Sequence, residues 1–171
     1  TGNTIDGISW INGLSTGNQN IDAIAISAPA AVTLPSNINV ANNIIRNLST
    51  LKTGTVAGIH EYGISSTSGL HTYQNNQLYN FFTSAGGASI KGIFVEGSSA
   101  SSHDISGNQI YSFNSIEPVV GTVASVAGIS VAGGTNKAIY NNRICDLSST
   151  STNPSVSGIE ITGGTTNIIY N

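Results

Sequence analysis

The side chains that could support catalysis or binding are few in this sequence. Its 171 residues include eight acidic residues, five lysines and arginines, three histidines and a single cysteine. His60, Tyr62, Phe94 and Glu96 combine aromatic rings with an imidazole and a carboxylate, a set that can stack on a sugar ring and hydrogen-bond to it. We therefore take these four residues as a possible patch for carbohydrate or another partner.

Two alternatives to a binding patch remain, one for all four residues and one for Glu96 together with Glu160. Side chains on the outward face of a sheet pair across neighbouring strands without any ligand, which would also explain the four residues. Glu96 and Glu160, roughly 10 Å apart by strand stacking, could instead be the carboxylate pair of an inverting glycosidase. We favour two solvated acids, because Ser130 and Ala132 between them offer nothing to hold a substrate. We expect no catalytic residue and no enzymatic activity.

His71 and His103 occupy matching positions in successive repeats of the chain. Two imidazoles about 5 Å apart could share a metal ion, but Asp104 is the one carboxylate that the sequence places beside them. We therefore expect polar turn residues here, and neither a metal site nor a cofactor. Cys145 has no histidine near it in the alignment of the repeats, so we expect an unreactive thiol.

Two short patterns recur along the chain and define the elements that must position these side chains. A Gly-Ile-x-Val pattern occurs five times with substitutions, beginning at Ala23, Gly58, Gly92, Gly128 and Gly158. Between its copies lies an apolar residue, a pair of residues dominated by asparagine, and then Ile-x-x-Leu with substitutions. The two patterns stay in the same order along the whole chain, so the chain consists of one repeated unit.

Apolar and polar residues alternate over four or five positions in each pattern, which is the spacing of β-strands. Ile and Val dominate the inward set, as strands prefer. Each repeat is therefore predicted to form three short strands joined by turns, and to be one coil of a solenoid. Asparagine suits the tight turn between the second and third strands, because it tolerates the left-handed backbone conformation.

Stacking the coils predicts columns of equivalent side chains about 4.8 Å apart. An apolar column is expected for Ile24, Ile59, Ile93, Ile129 and Ile159. Stacked carboxamides can hydrogen-bond along a column. We expect this structural role, an asparagine ladder at the corner of each coil, for Asn3, Asn43, Asn76, Asn108 and Asn142.

One residue breaks the inward apolar pattern. Glu61 stands where the other copies have Ile or Val. A buried, unpaired carboxylate is costly. We therefore expect a bulge in this strand that turns Tyr62 inward in place of Glu61.

Composition and charge exclude several classes of partner. A net charge of −3 gives no basic face for nucleic acid. The sequence has no run of about 18 apolar residues that could span a membrane, and a single cysteine cannot form an intrachain disulfide. Few lysines and many Ser, Thr and Asn residues indicate a secreted bacterial protein, located outside the cell or at its surface.

The Gly-Ile-x-Val strands, asparagine corners and Ile-x-x-Leu strands together resemble the right-handed parallel β-helix, the fold of pectate lyases, phage tailspikes and many large bacterial surface proteins. Single repeats such as GISVAGGTNKAIYNNRICDLSS are most similar to those of very long secreted proteins of gliding and related bacteria. The resemblance covers residues 1–171 and implies one all-β domain of about five three-stranded coils. It also implies that an enzyme of this fold would act in the groove beside the Gly-Ile-x-Val sheet.

The expected function is structural. Neither end of the sequence carries a polar or helical cap, and Asn171 would begin a further corner. We expect a segment or subunit of a surface fibre, filament or adhesin that stacks head to tail on itself or on adjacent coils. The alternatives are a carbohydrate-binding or polysaccharide-degrading module, with loops such as Asn114–Ser125 beside the patch, and a passive spacer between other domains.

Overall fold

The computed structural model describes residues 1–10, 20–27, 37–62, 68–96, 100–116 and 124–170, except the side chain of Trp10. Asn171 and most of the loop Asn114–Ser125 therefore lie outside the described residues.

The described residues form sixteen β-strands and no helix, which confirms the all-β prediction. Coil 1 contains β1 (Thr4–Asp6), β2 (Ser9–Trp10), β3 (Ile21–Ser27) and β4 (Ile38–Ala41); coil 2 contains β5 (Ile44–Thr50), β6 (Thr55–Tyr62) and β7 (Leu70–Gln74); coil 3 contains β8 (Gln77–Thr83), β9 (Ser89–Val95) and β10 (Ser102–Ser106); coil 4 contains β11 (Gln109–Ser115), β12 (Ser125–Val131) and β13 (Asn136–Tyr140); coil 5 contains β14 (Arg143–Ser149), β15 (Ser155–Ile161) and β16 (Thr166–Tyr170).

Each strand pairs in parallel with the equivalent strand of the neighbouring coil. The first sheet has the order β1-β5-β8-β11-β14, with β2 also paired to β5. The second sheet has the order β3-β6-β9-β12-β15, and the third has the order β4-β7-β10-β13-β16. The chain is therefore a parallel β-helix with three sheets, as the repeats predicted.

The register of the strand pairs confirms the predicted columns. Among the inward columns that run along the axis are these four: Ile5, Ile45, Leu78, Ile110 and Ile144; Leu48, Phe81, Phe113 and Leu147; Ile24, Ile59, Ile93, Ile129 and Ile159; and Val40, Tyr73, Ile105, Ile139 and Ile169. Within this core the rings of Phe81 and Phe113 stack with their centroids 4.4 Å apart. Each coil is open above and below, so neighbouring coils supply most of the burial.

The asparagine ladder is present, and the two residues of each corner have different roles. The second residue forms the ladder: the backbone N–H and side-chain amide of Asn43, Asn76 and Asn108 each donate to Oδ1 of the next asparagine, at 2.9–3.0 Å. The first residue adopts the left-handed conformation at Gly2, Asn42, Asn75, Gly107 and Asn141, with φ between 53° and 71°. The corner therefore selects Asn or Gly at one position for the backbone and Asn at the other for hydrogen bonding.

A second column of left-handed residues bends the first sheet, and the sequence did not predict it. Its members are Gly7, Asn47, Asn80, Ser112 and Asp146, with φ between 55° and 76°. One such residue inside a strand adds a bulge. The bulge explains why the inward residues Ile45 and Leu48 are three positions apart, where a regular strand would place them two apart.

Space, rather than backbone freedom, explains the glycine of the Gly-Ile-x-Val pattern. A Cβ on Gly92 would lie 2.4 Å from the carbonyl oxygen of Gly128, and one on Gly128 would lie 2.6 Å from Cγ2 of Ile144. At Gly92 and Gly128 the backbone lies so close to the neighbouring strand of the second sheet and to side chains of the first sheet that no side chain fits.

Replacing Asn76 by alanine is expected to lower the free energy of unfolding by about 2–4 kcal/mol, because the buried backbone N–H of Asn43 and carbonyl of Val40 lose their partners. Urea unfolding followed by circular dichroism measures the loss. Asn75→Gly is the matched control, since residue 75 has a φ of 55° that glycine adopts freely. Equal losses in the two variants would contradict a stabilising role for the ladder.

Candidate functional site

The four residues of the predicted patch lie together on the outward face of the second sheet. His60 on β6 and Phe94 on β9 are direct register partners, and their rings stack with centroids 4.6 Å apart and planes 15° apart. The ring of Tyr62 lies 4.8 Å from His60 at a tilt of 43°. Tyr62 is 38% exposed and the Glu96 side chain 50% exposed, whereas His60 is buried. We call His60, Tyr62, Phe94 and Glu96 the outer patch.

Two carboxylates flank the imidazole of His60. Its Nδ1 lies 3.0 Å from Oδ1 of Asp22 in the preceding coil. Its Nε2 lies 3.4 Å from Oε2 of Glu96, a charge contact without a well-formed hydrogen bond. Burial by itself lowers the pKa of His60, but Asp22 and Glu96 outweigh burial, so the pKa is raised. The two carboxylates therefore stabilise the cationic form of the His60 imidazole, which lies beside the exposed ring of Tyr62.

Lys91 also reaches this outward face. Its ammonium lies 2.7 Å from Oε2 of Glu160, 3.1 Å from Oγ of Ser125 and 5.9 Å from the centre of the Phe94 ring. Lys91 precedes the Gly-Ile pair of β9, whereas Phe94 and Glu96 of the outer patch follow it. A cation therefore stands between the outer patch and Glu160.

The two carboxylates considered for an inverting glycosidase have different surroundings. Oε2 of Glu160 accepts hydrogen bonds from Lys91 and from Oγ of Ser130, and the Lys91 bond is the main cause that lowers its pKa. Glu96 lies at the edge of a shallow depression. The depression is lined by Glu96, Ala132, Gly133, Gly134, Thr135, Gly164 and Thr165.

Glu61 points into the core, so the expected bulge with Tyr62 turned inward is wrong. Glu61 is completely buried and pairs in register with Ile26 and Val95. The carboxylate is tolerated because it has partners. His71 Nδ1 lies 2.9 Å from its Oε2, and the hydroxyl of Tyr73 donates to the same oxygen.

His103 completes this group from the next coil. Its Nε2 lies 3.4 Å from both carboxylate oxygens of Glu61. The imidazoles of His71 and His103 meet edge to face with ring centroids 5.1 Å apart, and both residues are buried. We call Glu61, His71 and His103 the buried trio; it lies at the corner between the second and third sheets.

The hydrogen bonds of the buried trio decide the charge of Glu61. Burial by itself raises the pKa of Glu61, but the bonds from His103, His71 and Tyr73 outweigh it and lower the pKa to about 2. Burial and the nearby carboxylate raise the pKa of Tyr73. At neutral pH the site therefore holds a buried carboxylate beside a neutral phenol.

The column that contains His71 and His103 continues with Lys137, which is also buried. Its ammonium donates to the carbonyl oxygens of Gly134 at 3.2 Å and Gly163 at 2.6 Å. Burial lowers the pKa of Lys137. The turn backbone of the last two coils therefore holds this cation in the position that the histidines occupy in coils 2 and 3.

No model of a known protein family, no curated protein and no solved structure matches this chain. Within the described residues, no helix is long and apolar enough to cross a membrane. The assignment of function therefore depends on the geometry of this chain alone.

The sequence identified His71 and His103 but not their carboxylate. It considered Asp104, whose carboxylate instead accepts hydrogen bonds from Ser106 and Tyr140. For Glu61 the sequence pattern predicted a strand bulge instead of a ligand-like contact with the histidines. An acidic residue at an inward position, in a coil that also carries an inward histidine, is the signal that would have found the trio.

Replacing Lys91 by methionine is expected to raise the pKa of Glu160, because the strongest interaction that lowers it is lost. A carboxyl group whose pKa is lower in the folded state contributes stability above its unfolded value of 4.5, and this contribution is lost as the pH falls through the folded value. The wild type should therefore exceed Lys91→Met in urea midpoint at about pH 7, and the difference should shrink by about pH 3. Lys52→Met is the control, and a difference that does not change with pH would contradict the pairing.

Proposed function

We propose that the chain is a structural protein, a rigid β-helix segment of an extracellular bacterial surface fibre, filament or adhesin that stacks on further coils of the same repeat. The observation that carries this proposal is the exposure of the inward columns in coil 5. Ile139 is 1% exposed, while its column neighbour Ile169 is 54% exposed; Val126 is 0% exposed, while Val156 is 45% exposed. The side of these apolar residues that faces away from coil 4 is exposed, and another coil would cover it.

The free edges of the strands in coil 5 also favour another coil of the same repeat as the partner that covers this end. β14, β15 and β16 are the outer strands of their three sheets, so their free sides present unpaired backbone groups that template another strand. A contiguous apolar surface bordered by such groups is typical of an interaction site. A coil of the same repeat satisfies both requirements at once, because it supplies three parallel strands and an apolar interior.

The direction of the asparagine ladder also favours a coil of the same kind. Each ladder residue donates to Oδ1 of the asparagine in the following coil. At Asn142 no described residue supplies the next oxygen, and at the opposite end Asn3 donates to Asn43. A second copy placed head to tail would bring the Asn3 carboxamide oxygen to the Asn142 N–H. Head-to-tail contacts of this kind do not close on themselves and produce a filament.

Composition supports the location that we propose. Charged residues are 8% of the chain, far below the roughly 25% of an ordinary globular domain. Serine, threonine and asparagine supply the polar surface instead. A stack of coils with few charges and one exposed cysteine is suited to a passive structural role outside the cell.

The isolated chain is expected to assemble end to end as its concentration rises, because a second copy can cover the face of coil 5. Analytical ultracentrifugation and negative-stain microscopy measure the assembly. The double substitution Val156→Lys and Ile169→Lys places charges in that face and is expected to leave single, folded particles.

Leu70→Lys is the matched control for this experiment. Leu70 is 48% exposed on β7 in a middle coil, so a lysine there changes surface charge without touching the end face. Single particles at every concentration, or rods that survive the double substitution, would count against stacking.

Carbohydrate binding at the outer patch is a second candidate function, favoured by the exposed aromatic face. Tyr62 and Phe94, which both contact the buried His60 ring, offer ring surface for the C–H face of a sugar. The Glu96 carboxylate is exposed beside them and can accept hydrogen bonds from hydroxyl groups. Aromatic surface next to a few polar groups is the usual composition of a ligand site.

If the outer patch binds carbohydrate, a glycan array should show a signal that is lost in Tyr62→Ala and Phe94→Ala, because both remove ring surface. Tyr79→Ala is the control, since Tyr79 stacks on Tyr111 in the first sheet, away from the patch. Absence of any glycan signal, or equal loss in the control, would exclude this function for the patch.

A further inference from the structure

We propose that the buried trio of Glu61, His71 and His103 is a binding site for a divalent transition-metal ion of the zinc class. From the sequence we expected no metal site, so this proposal replaces that expectation. It is independent of the stacking proposal. Glu61 and His71 belong to coil 2, and His103 belongs to coil 3. The ion would therefore join two coils inside the β-helix.

The donor set has the chemistry that zinc requires. Two imidazoles and one carboxylate are a common set of three protein ligands for Zn²⁺, with a fourth position left for water. One ligand atom from each residue of the trio lies within 4.8 Å of the other two. Among the described residues, this is the one group of three or more His, Cys, Asp or Glu side chains that converges in this way.

The contact between His103 and Glu61 fits an ion better than a direct hydrogen bond, whereas His71 Nδ1 lies at hydrogen-bond distance from Oε2 of Glu61, at 2.9 Å. Tetrahedral zinc with bonds near 2.0–2.1 Å holds neighbouring ligand atoms about 3.3 Å apart. The distance from His103 Nε2 to each carboxylate oxygen of Glu61 is 3.4 Å, whereas a good N–H···O bond is about 2.9–3.0 Å. The three ligand atoms lie within 4.8 Å of one another, so side-chain shifts of up to roughly 1 Å would bring all of them to bonding distance from one ion.

His103 is poorly satisfied by hydrogen bonding alone. It is 2% exposed, and its Nδ1 has no hydrogen-bond partner among the described residues. A buried ring that makes one long contact and leaves its other nitrogen unpaired costs free energy. A metal–nitrogen bond at Nε2 would replace the long 3.4 Å contact with a stronger interaction.

Tyr73 has the role of an outer-shell partner that orients the carboxylate. Its hydroxyl donates to Oε2 of Glu61, the same oxygen that His71 contacts. The other oxygen, Oε1, contacts His103 Nε2. Ligating carboxylates in metalloproteins are commonly fixed by such hydrogen bonds, so Tyr73 would leave Oε1 directed at the ion.

Charge balance points in the same direction. The ion pairs of Glu61 go to His71 and His103, and an imidazole must be neutral to bind a metal. A divalent cation would compensate the buried carboxylate while both imidazoles stay neutral. It would also stabilise the folded state, by an amount that rises with the logarithm of its concentration over its dissociation constant.

Zinc itself is the probe that tests the site. The full chain is stripped with EDTA, and Zn²⁺ is then added to the folded protein and, separately, during refolding from urea, because the trio is too buried to load quickly. Calorimetry and metal analysis should give one ion per chain, and saturating zinc should raise the urea midpoint. Co²⁺ in the same site should give the visible absorption of tetrahedral coordination.

Glu61→Val is the decisive variant. Valine occupies the same register position in coils 3 and 4, at Val95 and Val131, so this variant is expected to fold. Zinc affinity should fall by more than about 100-fold, and Tyr73→Phe should lower it by about 10- to 100-fold. The measured quantity is the response of the urea midpoint to zinc, so any change in the stability of the metal-free protein does not affect the result.

His60→Gln is the control, because His60 is another imidazole in contact with carboxylates, those of Asp22 and Glu96, but it lies outside the converging group. This variant should keep the full zinc response. Three results would each overturn the proposal: no zinc taken up by either route, a zinc response that persists in Glu61→Val, or a response that disappears in His60→Gln.

Discussion

Parallel hydrogen bonding between successive coils is the constraint on which the rest of this molecule depends. It places each residue directly above and below its equivalents in neighbouring repeats, about 4.8 Å away. A side chain is therefore stable only if it tolerates others like itself at that distance. Rings stack on rings, as Phe81 does on Phe113 and Tyr79 on Tyr111, and carboxamides bond to carboxamides in the ladder. Most of the core and the corners follow this rule, whereas the outward column of His60, Phe94, Ser130 and Glu160 mixes unlike side chains.

The same constraint explains how the chain uses charge. Like charges in one column would repel at the strand spacing, and only 8% of the residues are charged. Several of these residues pair between coils: Asp6 with Arg46, and Lys91 with Glu160 two coils away. Glu61 is the extreme case, since its partners reach it from its own coil and from the next. Groups that break the column rule therefore mark the positions where ligands are worth testing.

The sequence predicted the features that follow from the register of the repeats and missed several that depend on backbone detail or on contacts between elements. The inward columns, the asparagine ladder and the outer patch were predictable because each depends on a register that five copies define. The bulge at Asn47 was missed because Ser112 and Asp146 hide its pattern. Lys91 was missed because its long side chain reaches beyond its own position. The trio was missed because it forms across a corner, where the connection between Glu61 and His71 gives no register from which their approach could be inferred.

The corner that holds the buried trio recurs along the axis. One coil further on, Val95 takes the place of Glu61, His103 takes that of His71, and Lys137 takes that of His103. His103 therefore belongs to two successive copies of the same corner. Two substitutions, at positions 95 and 137, would recreate the side-chain set one step along the axis with the backbone unchanged. In a β-helix, a group of side chains can therefore be transferred from one coil to the next by substitution at equivalent positions, and the fold stays the same.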